Sequence, residues 1–445
     1  MRARPRIKHR VAPRRVPPGS AQLPMTRTEL PGGSVLVSEQ IKGARSVALG
    51  VYLRLGSRHE HDDEQGYFHF LEHALFKGTR HYTGAGLARA IDAVGGQLDA
   101  FTGRDATAFY VRVLPDHLEV ALELLAELLL RPQLSSRSIE TERGVILEEI
   151  KMVEDNPDEH IHDLFMQQYY PQHPLGRPIA GTRSSIAQLK RAQLIRFFRS
   201  RIAAPQLVFA AAGQFEPGRL QAAIQRRFAE LPLRADPGPV QPEPHPAGGV
   251  RVYSKEGLEQ AHLCIGAPMP SLRSPRRYAA HLLNTVLGGS MSSRLFQSVR
   301  ERLGLAYAID SAVDLFADSG CLTVYAGCST AEVGRVVELV LRELRSLRHR
   351  GVRAEELQRA QEHLKGSLAL AQESTSSRMS NLARQEIAFG QLSTLKDAFG
   401  AIDRTSRKQL LELAQEYLSP ERLALTLLAN GGRKGIPLPD LQLAS

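Results

Sequence analysis

Tryptophan is missing from this 445-residue chain, cysteine occurs three times, and no run of eighteen apolar residues appears. Without such a run the sequence offers no membrane-spanning helix. Cys264, Cys321 and Cys328 cannot close a disulfide framework and show no CxxC spacing, so buried free thiols in a reducing compartment are expected. Acidic residues are absent from the first 24 positions, "MRARPRIKHRVAPRRVPPGSAQLP", which hold seven lysines and arginines. Those seven carry most of the formal charge of +10; the rest of the chain keeps +3, too balanced to argue for nucleic acid as a partner. The head also has no apolar stretch of the secretory kind and is broken by prolines, which excludes an ordinary signal peptide and argues against a helix. It reads as a disordered basic head over 1–24, or as untranslated sequence before a true start at Met25. A cytoplasmic address follows, with the mitochondrial matrix left open because the head is Arg-rich and acid-poor.

With 42% hydrophobic and 23% charged residues, the chain has the make-up of a globular protein long enough for two or three domains. One stretch breaks its patterning: "RADPGPVQPEPHPAGG", Arg234 to Gly249, holds five prolines and reads as an exposed, semi-extended linker. It separates a domain over 25–233 from one over 250–445. Each block opens with β-rich segments, "SVLVSEQ" and "SVALGVYLRLGS" in the first, "GVRVYSKE" and "AHLCIGAPM" in the second. Amphipathic helices follow in both, such as "PDHLEVALELLAELLLRP" and "TAEVGRVVELVLRELRSLRHR", whose apolar residues recur every three or four positions. The pattern is that of a duplicated α+β unit.

Within "GYFHFLEHALFKGT", His69 and His73 stand at i and i+4, one helical turn apart on one face, and Glu72 shares that face. Two imidazoles in this register suit zinc, and a carboxylate beside them suits general-base work. A catalytic zinc site takes three protein ligands, so one more is required. On a helical wheel of "ETERGVILEEIKMVEDNPDEH", Glu142, Val145, Ile146, Glu149, Ile150 and Val153 form one stripe, while Glu148 projects to the side. Glu142 and Glu149 are therefore expected on the buried face, where carboxylates need a cation or donors. His160 and His162, two apart, point away from each other on a helix and read as surface or packing histidines.

These residues resemble the pitrilysin/insulinase family of zinc peptidases, in particular the short branch that includes mitochondrial processing peptidase and its bacterial relatives. The likeness runs from about Thr26 to Asn430 and is carried by "GSRHE", the inverzincin motif in "HFLEHALFKGT", "GGQLDAFTGRDATAFY", "ERGVILEEIKMVEDNPDE", "HPLGRPIAGT", "LGGSMSSRLFQSVRERLGLAYAI" and "RQEIAFG". It implies an α+β fold of two homologous domains, each a mostly antiparallel mixed β-sheet flanked by α-helices. It also implies one zinc ion per chain, held by His69, His73 and Glu149, with Glu72 as general base and Glu142 as a supporting acid. Arg300 and Tyr307 in "VRERLGLAY" match the family's arginine and tyrosine pair, two donors for the substrate carbonyl. Peptide substrates are expected to add as an extended strand along Ala100, Phe101 and Thr102.

The implied activity is zinc-dependent endoproteolysis of short or unfolded peptides. The implied assembly is a homodimer with composite sites, or a heterodimer with an inactive homologue. A non-catalytic scaffold or partner subunit of the same fold is the alternative; such relatives lose ligands or base, and here all five residues are kept. Asp99 and Asp105 depart from the family's usual Asn and Glu, which requires different partners for them around the substrate strand.

Overall fold

The computed structural model describes residues 25–432 together with 436 and 438; the basic head lies outside the described residues. Eleven described strands form two sheets. The first contains β1 (Thr26–Glu29), β2 (Val35–Gln40), β3 (Val47–Leu53), β4 (Gln97–Thr102), β5 (Thr107–Val113) and β6 (Leu207–Gly213), in the order β1-β2-β6-β3-β5-β4. The second contains β7 (Gly249–Ser254), β8 (Ala261–Met269), β9 (Ala306–Leu315), β10 (Gly320–Cys328) and β11 (Ala424–Ala429), in the order β7-β11-β8-β10-β9. Each sheet has a single parallel pair, β2 with β6 and β7 with β11, and all its other pairings are antiparallel. Leaving out β1, the two orders correspond strand for strand, so the duplication read from the composition of the halves is present in their topology.

β3 and β6 are buried along their whole length because both faces of the first sheet are covered, which explains their near-continuous apolar sequence. On one face, Leu49, Val51, Phe109 and Val111 pack with Phe68, Phe70 and Leu71 of the helix Tyr67–Leu75 and with the helix Leu118–Leu130. The other face is covered from the second half of the chain. Met379, Leu382 and Ala383 of the helix Thr375–Phe389 lie on Val37, Ala48, Tyr52, Val208 and Ala210. Reciprocally, Ile161, Leu164 and Phe165 of the helix Pro157–Tyr169, from the first half, lie against Cys264, Cys321, Tyr325 and Leu428 of the second sheet. Each half thus lends the other a helix.

Polar links reinforce this exchange. Glu386 on the lent helix accepts from Arg27 Nε and Arg54 Nη2, both at 2.8 Å, and Tyr52 donates its hydroxyl to Ser380 at 2.8 Å. The proline-rich segment forms neither helix nor strand before Gly249 and is tied down rather than loose. Arg201, fully buried, donates to the Asp236 carbonyl at 3.0 Å, and the Ala247 N–H donates to the Tyr169 carbonyl at 2.8 Å. Strand β7 starts at Gly249, within the expected linker. Cys264, Cys321 and Cys328 are free and buried.

Candidate metal centre

The helix Tyr67–Leu75 buries Phe68, Phe70, Leu71, Ala74 and Leu75 in the first core. Only the arc holding His69, Glu72 and His73 is left over, and it faces the helix Ser136–Asp155 on one side and strand β4 on the other. The long helix is started by Ser135, whose hydroxyl accepts from the Ser138 N–H at 3.1 Å. It presents Ile139, Glu142, Ile146 and Ile150 inward.

Glu149 lies across from both histidines. Its carboxylate oxygens are 3.7 Å from His69 Nε2 and 3.5 Å from His73 Nε2, and one ligand atom from each of the three residues falls within 4.8 Å of the others. Two ligands on a tetrahedral zinc at about 2.0–2.1 Å stand about 3.4 Å apart, so the spacing fits that ion. Burial pushes His69 down to about 4, with the neighbouring His73 acting the same way, which keeps the His69 imidazole neutral and its lone pair free. Behind His73, Glu142 Oε2 lies 3.3 Å from Nδ1, and the other oxygen of Glu142 pairs with Lys77 Nζ at 2.9 Å. A carboxylate at Nδ1 selects the tautomer whose Nε2 is free for a metal. His69 Nδ1 is buried and has no such partner among the described residues.

Glu72 stands beside this trio. Burial raises its pKa, and the Thr102 hydroxyl, donating to its Oε2 at 2.6 Å, opposes the rise. Thr102, expected as a substrate contact, therefore also holds the carboxylate expected to act as base. It lies on β4, which pairs with β5 alone among the described strands and has a free outer edge. Ala100 shares its face of the strand, and Phe101 points to the opposite face, edge-on to Tyr52.

Other placements differ from the wheel or were not foreseen. Glu142 is 1% exposed, but Val145 is 46% exposed and the Glu149 side chain 42%, since the buried arc of the helix is narrower than the stripe and the first helix leaves the Glu149 position open. Asp99 accepts from the Tyr110 hydroxyl at 3.2 Å and from the Ala100 N–H at 2.8 Å. Asp105 takes Arg58 at 3.0 Å and the Ala317 N–H at 3.1 Å; Arg58 also pairs with Asp318, tying the β4–β5 turn to the second half. His160 and His162 are outside the metal cluster, and the His162 ring lies tilted against that of Tyr325, centres 5.4 Å apart. Arg300 and Tyr307 come together, the guanidinium 5.8 Å from the ring centre, on a surface where Tyr307 is 77% exposed; among the described residues neither bonds to the metal cluster. Lys77 was absent from the candidate residues, although it follows His73 by four positions and is a cation beside a cluster of acids.

Comparison with known proteins gives this geometry a family. A family model described as Insulinase (Peptidase family M16) matches residues 35–183, and one described as Peptidase M16 inactive domain matches residues 188–364. An uncharacterized zinc protease of Mycobacterium bovis is 37% identical over 434 residues, 96% of this chain and 98% of that protein. The chain belongs to the insulinase family, peptidase family M16. Another family member, an uncharacterized zinc protease of Bacillus subtilis, is 35% identical over 90% of this chain and 97% of its own length. The fold is shared with a peptidase M16 inactive domain from Pseudomonas fluorescens and with a protease from Helicobacter pylori. Both have a TM-score of 0.85 at 20% identity, covering 92% and 91% of this chain and 98% and 99% of theirs. The metal cluster lies in the region matched by the Insulinase model, and Arg300 and Tyr307 lie in the region matched by the inactive-domain model. Among the described residues no helix is long and apolar enough to cross a membrane.

Proposed function

We propose that this chain is a zinc-dependent endopeptidase acting on short or unfolded peptides. The observation that carries the reading is the three-residue cluster of His69, His73 and Glu149 with Glu72 beside it, next to a free sheet edge. His69, His73 and Glu149 would hold one zinc ion, which when bound supplies Lewis-acid polarisation of the scissile carbonyl. Glu72 takes the proton from the attacking water and returns it to the leaving amine. Its raised pKa suits both halves of that task, since an acid that is too strong holds a proton poorly. An extended peptide adds to the outer edge of β4 by backbone pairing, which demands an unfolded segment and little sequence. The three buried free thiols support a reducing, cytoplasmic compartment.

Arg300 and Tyr307 are exposed donors that, among the described residues, make no bond to the metal cluster of their own chain, which supports a homodimer in which each site takes this pair from the partner. Cleavage of a diverse synthetic peptide pool, read by mass spectrometry, tests the activity. Products from zinc-loaded wild type and none from Glu72→Gln are expected; equal products from both would refute Glu72 as base. Mixing Glu72→Gln with Tyr307→Phe subunits tests the assembly. Recovery of activity above either variant alone is expected, and no recovery after confirmed subunit exchange would refute composite sites.

A further inference from the structure

Glu60 closes the "GSRHE" motif and has no part in the chemistry above, yet it is 2% exposed. The helix that carries His69, Glu72 and His73 begins at Gly66, which sits at φ 86 and has no side chain with which to cap the first turn. A side chain could not be added there, because its Cβ would lie 2.6 Å from the Ala180 carbonyl oxygen. Glu60 supplies the cap from six residues upstream. One carboxylate oxygen accepts the Gly66 N–H at 2.9 Å and the other accepts the Phe68 N–H at 2.7 Å. The backbone oxygen of Glu60 is in turn held by Arg177, from the "HPLGRPIAGT" motif, at 3.2 Å. Burial raises the carboxyl to about 8, the N–H groups of Phe68 and Gly66 offsetting only part of the rise; with one N–H on each oxygen, both acceptor sites of the carboxyl are used by the helix start.

We propose that Glu60 is a positioning residue for the metal centre: by gripping the first turn at Gly66 and Phe68 it sets where His69, and behind it Glu72 and His73, stand relative to Glu149. The proposal rests on the zinc reading of the site. A shift of the helix start moves His69 first, because it follows Phe68 directly and its Nδ1 has no second anchor among the described residues. Glutamine at position 60 offers one acceptor oxygen and an NH2 group that would face an N–H, so one of the two bonds is lost. Aspartate keeps the carboxyl and both oxygens but reaches one methylene less far.

The test uses full-length protein with Glu60→Gln, Glu60→Asp and a control, Glu356→Gln, which breaks a buried carboxylate of the second half that is paired with Arg294. Zinc affinity is read by competition with a chromogenic chelator, stability by thermal unfolding, and kcat and KM on a cleaved peptide at saturating zinc. Glu60→Gln is expected to weaken zinc about tenfold and to lower kcat with KM within about twofold, with Glu60→Asp between it and wild type. Glu356→Gln should lose stability and keep its zinc affinity. If Glu60→Gln binds zinc as wild type does and only melts earlier, Glu60 is an ordinary helix cap and the proposal is overturned. Should that variant fail to fold, Glu60→Asp carries the test, and wild-type zinc affinity in it overturns the proposal equally. Zinc affinities in the expected order, with no cleavage by any form, would uphold the positioning role and defeat the peptidase reading. A wild type that binds no zinc would defeat both.

Discussion

Replacing Glu142 by glutamine removes one negative charge from behind His73 and keeps the shape of the side chain. Glu142 is 1% exposed and bonded on both oxygens, one 3.3 Å from His73 Nδ1 and the other 2.9 Å from Lys77 Nζ. A glutamine cannot serve both neighbours. With its oxygen toward His73, its NH2 group faces the Lys77 ammonium, donor against donor. With its oxygen toward Lys77, the NH2 group donates to His73 Nδ1, and the imidazole proton moves to Nε2, where it blocks metal binding. The ammonium is the stronger donor and favours the second arrangement. Loss of such an outer partner costs about 10- to 100-fold in metal affinity, or about 1.4 to 2.7 kcal/mol. Chelator competition on purified Glu142→Gln reads this directly, and kcat/KM should recover as zinc is raised. Adding Lys77→Met frees the amide oxygen to face His73, so the double variant should bind zinc more tightly than Glu142→Gln alone. Zinc affinity within twofold of wild type in Glu142→Gln, or no gain from the second change, would refute the tautomer argument.

Three further outcomes are expected. In Thr102→Val, Glu72 loses the hydroxyl that favours its ionised form, so the acid limb of kcat/KM should move to higher pH; an unmoved limb means that it reports another group. Glu356 is held down to about 2, with burial opposed and outweighed by Arg294 and the Arg353 N–H, so its contribution to stability is present above its ordinary value near 4.5 and is lost as the pH falls toward 2. Urea unfolding of Glu356→Gln should show a shallower loss over that window than wild type, and parallel curves would contradict the assignment. Gly266→Ala places a Cβ 2.1 Å from the Phe165 ring of the lent helix, an overpacking of about 1–3 kcal/mol. Phe165→Leu in the same chain should restore part of that loss, whereas simple additivity would show that the ring does not fill this gap.

The candidate site was legible to the extent that helical geometry is local. His69, Glu72 and His73 share an arc because 3.6 residues make a turn, whatever surrounds them. Glu142 came out buried as the wheel required, and Val145 on the same stripe came out exposed, because a wheel gives directions from an axis but not how wide an arc a neighbour covers. The cap on the metal helix was invisible for a related reason. "GSRHE" and Gly66 are adjacent in sequence, but only the folded loop turns the Glu60 side chain back onto the N–H groups of the helix.

The sequence by itself determined several of the strands and amphipathic helices and which residues share a helix face, since each depends on periodicity within a short window; it pointed to a duplicated α+β unit, which the matching strand orders of the two sheets then established. The tertiary structure alone decided which sheet each amphipathic helix covers. The helices Pro157–Tyr169 and Thr375–Phe389 have apolar faces that either half could bury, and Phe165 beside Gly266 and Met379 against Tyr52 place each on the sheet of the other half. Hydrophobic burial rewards area without regard to position along the chain, so partner choice is settled by shape where the surfaces meet.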